Sequence, residues 1–277
     1  MPHARHPSLS ILDKPFGVMG VLNVTPDSFY DGGRYADPAA AAGQAMRLVE
    51  EGADVVDVGG ESSRPGAQPV SPRDEIGRIV PVIEKLRAQS DVIISVDTTK
   101  SEVARAALDA GATWINDISA GRFDDGMASL AAKEACPVVL MHSRKTPRDM
   151  QEDPHYDDVL GEVRDELRAC CDAFAGRGVS RENIIIDPGI GFAKRFEDNI
   201  VLLRNLRALA TLGYPVLVGT SRKSFIGHIT GRSADERLPG TLASINVAFS
   251  RGAKLFRVHD VKETVDFLKV LCAALNG

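Results

Sequence analysis

The amino-acid sequence predicts an α/β fold, namely a single (β/α)8 TIM barrel. Short apolar runs alternate with amphipathic stretches eight times, and no linker or change of composition separates the units. The length of 277 residues also suits such a barrel, which commonly takes about 250 residues. A doubly wound open sheet is the alternative, because six or seven strand–helix units produce a similar pattern. Eight units without an obvious switch point favour the barrel.

The first half of the chain contains four of these units. Its strands are continuous apolar runs, which is typical of parallel strands buried on both faces. Helix starts are marked by Asp37 and Ser71, each of which precedes a proline, and by Thr99, which is spaced with Glu102 as a capping box. The predicted strands are residues 18–23, 55–58, 92–96 and 114–115, and the fourth helix covers residues 125–135.

The second half contains the other four units. The run Ile184–Ile186 leads directly into Asp187, and Pro188 then ends the strand. Asp260 and Glu263 repeat the capping-box spacing before the last helix. The predicted strands are residues 137–141, 184–186, 216–218 and 255–259, and the predicted helices are residues 156–175, a helix after Phe196, residues 241–250 and residues 261–275.

Composition and charge restrict the class of protein. Apolar residues make up 44% and charged residues 26%, which is typical of a soluble globular domain. The net charge of −5 argues against a nucleic-acid partner and against a role at a membrane surface. None of the four cysteines forms a Cys-x-x-Cys pair, and residues 1–10 lack the apolar core of a signal peptide. We therefore expect a cytoplasmic protein with one domain over residues 1–277, in which residues 1–14 form a loosely ordered N-terminal segment.

Polar side chains stand at or just after the end of every predicted strand. Because the carboxyl ends of barrel strands meet at one rim, where barrel active sites lie, we expect these side chains to surround one site. The carboxylates and amides suit a flat heterocycle with N–H edges, and the cations suit a phosphate or carboxylate. The strand-end groups are Asn23, Asp57, Asp97, Asn116, His142, Asp187, Ser221 with Lys223, and Arg257 with His259; Arg64 adds a further cation.

Several common kinds of site are absent from the sequence. The glycines around residue 190 do not complete a dinucleotide-binding fingerprint, and no Walker loop occurs. The six histidines include no His-Glu-x-x-His pair, which argues against zinc. No Gly-x-Ser-x-Gly elbow follows a strand. Asn23, by contrast, offers an oxygen ligand of the kind that Mg²⁺ accepts beside substrate phosphates.

Five segments spread over nearly the whole chain resemble the dihydropteroate synthase family, in that family's order. The first is close to diagnostic by itself. Two positions depart from the common pattern: Ser63 replaces a threonine, and Lys145 stands where glycine is common, so no role is predicted for His142. The segments are Asn23 to Phe29, Gly59 to Gly66, Asp187 to Phe192, Ser221 to Ser224, and Arg257 to Asp260.

The resemblance implies a pterin-binding barrel and a reaction in folate biosynthesis. A Mg²⁺-dependent transferase of this family joins (7,8-dihydropterin-6-yl)methyl diphosphate to p-aminobenzoate and releases diphosphate, and sulfonamides compete with p-aminobenzoate. The implied catalytic residues are Asp97, Asp187 and Lys223. The implied pterin ligands are Asp57, Asp97, Asn116, Asp187 and Lys223; the diphosphate ligands are Asn23, Arg64, Arg257 and His259, with Asn23 also on the metal; and the p-aminobenzoate ligands are Phe29, Ser63, Arg64, Pro65, Phe192, Ser221 and Lys223.

Two other functions stay open at the level of sequence. A related barrel presents methyltetrahydrofolate to a corrinoid protein and shares the strand-end acids and amides, but it has no diphosphate for Arg257 and His259 to hold. A non-catalytic pterin-binding barrel is the other. The expected partners are the two small-molecule substrates and, from the family and the apolar final helices, a second copy of the chain. Neither nucleic acid nor a membrane is expected.

Overall fold

The computed structural model describes residues 5–25, 37–63, 66–150 and 152–276. Eight parallel strands form one sheet in the order β6-β5-β4-β3-β2-β1-β8-β7. A parallel bridge from Ile186 to Val216 joins the two ends of that order, so the sheet closes into the predicted barrel. The strands are β1 (Gly17–Asn23), β2 (Val55–Gly59), β3 (Ile93–Asp97), β4 (Trp114–Asp117), β5 (Val138–Met141), β6 (Ile184–Asp187), β7 (Leu217–Val218) and β8 (Leu255–Val258).

Ten α-helices lie in the described part of the chain, two more than one per strand. The segment between β6 and β7 is divided into two helices at Asn205, and a short extra helix follows β7 and ends at Gly231, whose φ of 70° suits glycine. The helices are α1 (Pro38–Glu50), α2 (Pro72–Arg87), α3 (Ser101–Asp109), α4 (Gly126–Glu134), α5 (Val159–Gly176), α6 (Phe196–Arg204), α7 (Leu206–Ala210), α8 (Ser224–Thr230), α9 (Leu238–Ser250) and α10 (Val261–Asn276). None of them is both long and apolar enough to cross a membrane.

Local capping rules succeed for two helices and fail for a third. The carboxylate of Asp37 accepts a backbone N–H of α1 at 2.8 Å, and the hydroxyl of Ser71 accepts one of α2 at 3.1 Å, as predicted. The predicted capping box at Thr99 is wrong, because α3 begins at Ser101. The N–H of Ser101 donates instead to the carboxylate of Asp124, 2.7 Å away in the loop after β4. A distant residue therefore supplies the cap.

The side chain of Asp260 has a similar long-range partner. The sequence spacing predicts that it caps the start of α10 together with Glu263. In the structure its carboxylate accepts hydrogen bonds from Nε of Arg222 at 3.0 Å and from the Nη2 of the same guanidinium at 2.5 Å. This bidentate pair joins the loop after β7 to the start of α10.

The inward faces of the strands change character along the barrel axis. Successive side chains on a strand point to opposite faces, so residues two apart share a face. Apolar residues on the inward face pack together toward the N-terminal end of the barrel, and polar residues two positions later lie toward the C-terminal end. The pairs are Val55 with Asp57, Trp114 with Asn116, Ile185 with Asp187, and Leu255 with Arg257.

The N-terminal segment closes the apolar end of the barrel, so the expectation that it is loosely ordered is wrong for its described part. Residues Pro7–Asp13 form a 3₁₀ helix, and its Leu9, Ile11 and Leu12 are buried against the inward apolar side chains. Nε1 of Trp114 donates to Oγ of Ser8 at 2.6 Å. The reason is the hydrophobic effect, because the open end of the barrel would otherwise expose this layer to water.

We predict that Leu9→Ala destabilises the protein by about 2–5 kcal/mol, the range for truncating a fully buried leucine. Leu9 is completely buried beneath the barrel. Urea unfolding followed by circular dichroism measures the change. The matched control is Ile229→Ala in α8, where the isoleucine is 61% exposed and should change stability by less than about 0.5 kcal/mol. Equal stabilities of Leu9→Ala and the unchanged protein would show that the segment is not part of the folded core.

Candidate active site

The strand-end polar groups meet at the C-terminal end of the barrel. The parallel registers place Asp97 beside Gly59 and Asn116, and Asp187 beside Met141. A small inner cavity of about 30 Å³ lies there. Its lining includes seven predicted site residues: Asn116, Asp187, Phe192, Ser221, Lys223, Arg257 and His259.

A larger outer cavity, of about 590 Å³, lies beside it at the rim. Ser63 and Asp97 line this outer cavity together with Lys100. The ammonium of Lys100 forms ion pairs with Glu61 and, at 2.6 Å, with the fully buried Glu75. In this wall of the outer cavity, one ammonium is therefore paired with two carboxyl groups.

Arg257 occupies the centre of the inner charged group. Its Nε donates to Oδ2 of Asp57 and its Nη2 to Oδ2 of Asp97, both at 2.6 Å. Burial disfavours the charged guanidinium, but the two carboxylates outweigh that cost and raise the pKa of Arg257. The same Oδ2 of Asp57 accepts from Nδ2 of Asn116 at 2.9 Å. The amide of Asn116 is thereby oriented with its oxygen free to accept hydrogen bonds from a ligand.

The two carboxylates next to the inner cavity have raised pKa values. Burial raises the pKa of Asp97 to about 7, against the attraction of Arg257, and the charge of Asp57 adds to the rise. Burial likewise raises the pKa of Asp187 to about 6, although the N–H of Gly189 donates to its Oδ1 at 2.7 Å and Lys223 lies near. Carboxyl groups with pKa values near neutrality are characteristic of binding and catalytic sites.

Lys223 lies against an aromatic ring. Its Nζ is 3.9 Å from the ring centre of Phe192, which is within the range of a cation–π contact. Burial lowers the pKa of Lys223 to about 8, opposed by the charge of Asp187. Gly191 allows this approach, because its φ is 84° and a Cβ there would lie 2.9 Å from Cδ of Lys223.

His259 is a neutral hydrogen-bonding group at neutral pH. Burial, followed by the nearby charges of Arg257 and Arg222, lowers its pKa to about 4. Its backbone N–H donates to Oγ of Ser221 at 3.2 Å, and the Ser221 hydroxyl lies 3.0 Å from its Nδ1. If the hydroxyl donates to Nδ1, the proton of the imidazole is on Nε2 and can be donated to an anion.

The remaining predicted site residues have other positions. Asp57 is fully buried and lines neither cavity, so it holds Asn116 and Arg257 from behind. Asn23 is the last residue of β1 and also lines neither cavity. Phe29, Arg64 and Pro65 lie outside the described residues.

The sequence did not reveal the group behind Asp187. His142, for which no role was predicted, is buried, and its Nε2 lies 3.0 Å from Oε2 of Glu166. Its Nδ1 lies 3.0 Å from Nζ of Lys194, which is also buried. The signals in the sequence are a histidine at the end of one strand and a lysine in the loop after the next. Neither signal shows that both residues are buried.

Known proteins are similar to this chain in both sequence and fold. Residues 19–259 match the family model of pterin-binding enzymes. A dihydropteroate synthase of Synechocystis is 48% identical over 254 residues, which cover 91% of this chain and 88% of the relative. One of Bacillus subtilis is 43% identical over 99% of this chain and 93% of the relative. The chain belongs to the dihydropteroate synthase family.

Solved structures of the family agree with the barrel. The dihydropteroate synthase of Xanthomonas albilineans with 4-aminobenzoic acid has a TM-score of 0.89 and 48% identity, covering 95% of this chain and 94% of that chain. The Yersinia pestis synthase with a sulfonamide drug complex has a TM-score of 0.90 and 40% identity over 96% of both chains. The predicted family is confirmed, and so is the predicted enzyme type, a transferase of the dihydropteroate synthase type.

The buried His142 should make stability depend on pH. Burial and the charge of Lys194 lower its pKa from 6.5 to about 4, although Glu166 opposes the change. The unfolded chain therefore binds this proton between pH 6.5 and 4 and the folded protein does not. Stability present above pH 6.5 is lost as the pH falls toward 4, by roughly 3 kcal/mol from this residue.

We predict that His142→Gln reduces this acid sensitivity. The thermal midpoint measured by circular dichroism from pH 7 to pH 4 should fall less steeply in the variant. His155→Gln is the matched control, because that side chain is 66% exposed. Parallel curves for His142→Gln and the unchanged protein would contradict the prediction.

Proposed function

We propose that this protein catalyses the Mg²⁺-dependent condensation of (7,8-dihydropterin-6-yl)methyl diphosphate with p-aminobenzoate, giving 7,8-dihydropteroate and diphosphate. The observation that carries the proposal is the inner cavity, which combines buried carboxyl and amide acceptors with cationic and neutral donors. The acceptors suit a pterin ring and the donors suit an anionic leaving group. Membership of the dihydropteroate synthase family supports it, as does the Xanthomonas albilineans synthase solved with 7,8-dihydropteroate.

The pterin ring is assigned to Asn116, Asp187 and Lys223, with Asp97 at the edge. Asp187 and the oxygen of Asn116 accept from ring N–H groups, and Lys223 donates to a ring acceptor. Asp57 acts from behind by fixing the amide of Asn116. These side chains are buried, so their hydrogen bonds form in a low-dielectric site and discriminate against ligands that cannot pair with them.

Arg257 must change partners when the pterin binds. The inner cavity of about 30 Å³ holds roughly one water molecule, which is far less than a pterin needs. When the guanidinium of Arg257 moves away from Asp97, the inner cavity becomes larger. The carboxyl group of Asp97 can then accept hydrogen bonds from N–H groups of the pterin ring. The freed guanidinium then binds the diphosphate together with His259. The same charge thus neutralises the site before the substrate binds and the leaving group afterwards.

A single oxygen ligand such as Asn23 fits Mg²⁺ that is bound mainly by the substrate. Among the described residues there is no cluster of three or more histidine, cysteine or acidic side chains that could hold a metal ion. Mg²⁺ keeps several waters and is commonly bound through one or two protein oxygens and substrate phosphates. Asn23 at the end of β1 supplies one such oxygen. The bound ion would stabilise charge on the departing diphosphate.

The second substrate is placed between Phe192, Ser221 and Ser63. Phe192 and Ser221 line the inner cavity, and Ser63 lines the outer one. Loss of diphosphate leaves positive charge on the pterin methylene carbon, which the carboxylates of Asp97 and Asp187 stabilise electrostatically. As the C–O bond to diphosphate breaks, the arylamine nitrogen attacks that carbon and forms the new C–N bond, and the nitrogen then loses its surplus proton to water. An arylamine is nucleophilic while neutral and needs no strong base for this attack.

Turnover tests the proposal directly. Purified protein with Mg²⁺ should release diphosphate and form 7,8-dihydropteroate only when both substrates are present. Chelation of the metal should stop turnover, and added Mg²⁺ should restore it. A sulfonamide should raise the KM for p-aminobenzoate. Folded protein that forms no dihydropteroate would refute the proposal, and methyl transfer from methyltetrahydrofolate to a corrinoid protein would favour the alternative function.

Asp187→Asn tests the pocket. The variant loses the charge that stabilises the electrophile, and kcat/KM should fall by about 100-fold or more. Asp165→Asn is the control, because this α5 side chain is 58% exposed and lies outside both cavities. Unchanged turnover and pterin affinity in Asp187→Asn would show that the pocket assignment is wrong.

We also propose that the protein is a cytoplasmic homodimer. Its last helix, α10, carries apolar side chains on its surface: Val270 is 71% exposed and Leu275 60% exposed. Light scattering during gel filtration should give the mass of two chains over a dilution series. A mass of one chain at all concentrations would refute the dimer.

A further inference from the structure

A buried lysine behind the site has no part in the reaction as proposed. Lys194 is only 3% exposed and lines neither the inner nor the outer cavity. Its Nζ lies 3.0 Å from Nδ1 of His142 and donates to the carbonyl oxygen of His142 at 3.2 Å and to the carbonyl oxygen of Phe192 at 3.0 Å. An ammonium group has three N–H donors, so all three are used.

The burial of this lysine is costly. A charge removed from water costs several kcal/mol unless it is well compensated, and the three acceptors here are uncharged. Burial accordingly lowers the pKa of Lys194 to about 7, although the charge of Asp187 opposes the shift. An apolar side chain would fill the space without this cost. Unlike an apolar side chain, the lysine forms hydrogen bonds that join the loop after β6 to the end of β5.

The loop between Asp187 and Lys194 also packs closely against neighbouring segments. Gly189 has a φ of 67°, and a Cβ there would lie 2.0 Å from the carbonyl oxygen of His142 and 3.3 Å from Nζ of Lys194. The loop therefore lies directly on the end of β5. At its far side the ring of Phe192 lies 3.9 Å from Nζ of Lys223.

His142, which contacts Lys194, also contacts helix α5 on the outside of the barrel. Because a charged lysine can only donate, Nδ1 of His142 must accept, and the proton of the imidazole is on Nε2. That N–H donates to Glu166 in α5, at 3.0 Å. Glu166 is also bound by Arg144. A chain of polar contacts thus runs from the surface of α5 to the loop that carries Phe192.

We propose that Lys194 is a positioning residue for the p-aminobenzoate subsite. It holds the carbonyl of Phe192 and thereby sets the ring against Lys223, where the ring forms a wall for the second substrate. The inference rests on the proposed function for the identity of that substrate. Lys194 acts through Phe192 and touches neither substrate itself.

The test compares Lys194→Met, Phe192→Ala and the double variant. Lys194→Met should raise the KM for p-aminobenzoate roughly 10- to 100-fold, as expected when a binding group is displaced, and the KM for the pterin substrate by less than about threefold. Because both changes act on the same ring, the double variant should be no more than about threefold worse than Phe192→Ala alone. Fully additive effects would overturn the proposal, since a general structural role predicts independent losses.

Two further variants serve as a surface control and as a substitute if Lys194→Met does not fold. Lys133→Met, at a lysine 70% exposed in α4, should leave both KM values unchanged. If Lys194→Met does not fold, His142→Leu removes one of the three acceptors and should raise the KM for p-aminobenzoate by a smaller factor. An unchanged KM in a folded variant would refute the proposal.

The activity of the unchanged protein distinguishes a failure of the proposed function from a failure of the Lys194 inference. The unchanged protein would then form no dihydropteroate, whereas a failure of the Lys194 inference leaves that activity intact. A crystal structure of Lys194→Met decides the geometry independently of activity. The Phe192 ring should be displaced from Lys223, and a ring that stays in place would refute the inference.

Discussion

The site depends on one guanidinium held between two carboxylates. Asp57 and Asp97 lie on adjacent strands inside the barrel, and each is within 2.6 Å of Arg257. Two buried carboxylates repel each other and cannot both stay charged without a cation. Arg257 makes their proximity possible, and the same arrangement fixes the amide of Asn116 through Asp57. The acceptors of the inner cavity are thus prepared before a ligand arrives.

The buried apolar layer and the candidate active site lie at opposite ends of the barrel. The same inward-facing positions carry apolar residues near the N-terminal end and polar residues near the C-terminal end. The apolar layer is closed by the Pro7–Asp13 helix and contributes stability through burial. The polar layer costs free energy of desolvation, which the apolar layer offsets. Such separation is general for barrels, since the loops after the strands can vary while the other end maintains the fold.

The loop after β6 shows how backbone and buried charge act together. Gly189 and Gly191 have positive φ values and lie where a Cβ would collide with neighbouring atoms. Those glycines bring the chain close to β5 and Lys223, and Lys194 then fixes it by three hydrogen bonds. A loop built only of close contacts could slide, whereas directed hydrogen bonds in a low-dielectric interior define one position.

The sequence by itself determined the repeating units, the ends of most strands, the ring of polar groups and the family. These are local features: apolar runs, caps such as Asp37, and motifs whose residues are neighbours along the chain. Only the tertiary structure decided the partners of those groups. Arg257 and Asp57 are 200 residues apart in sequence, and Asp124 caps α3 from another loop. The burial of His142 and Lys194 was equally hidden. The physical reason is that pKa values, ion pairs and burial depend on distances between remote segments, which periodicity along the chain does not contain.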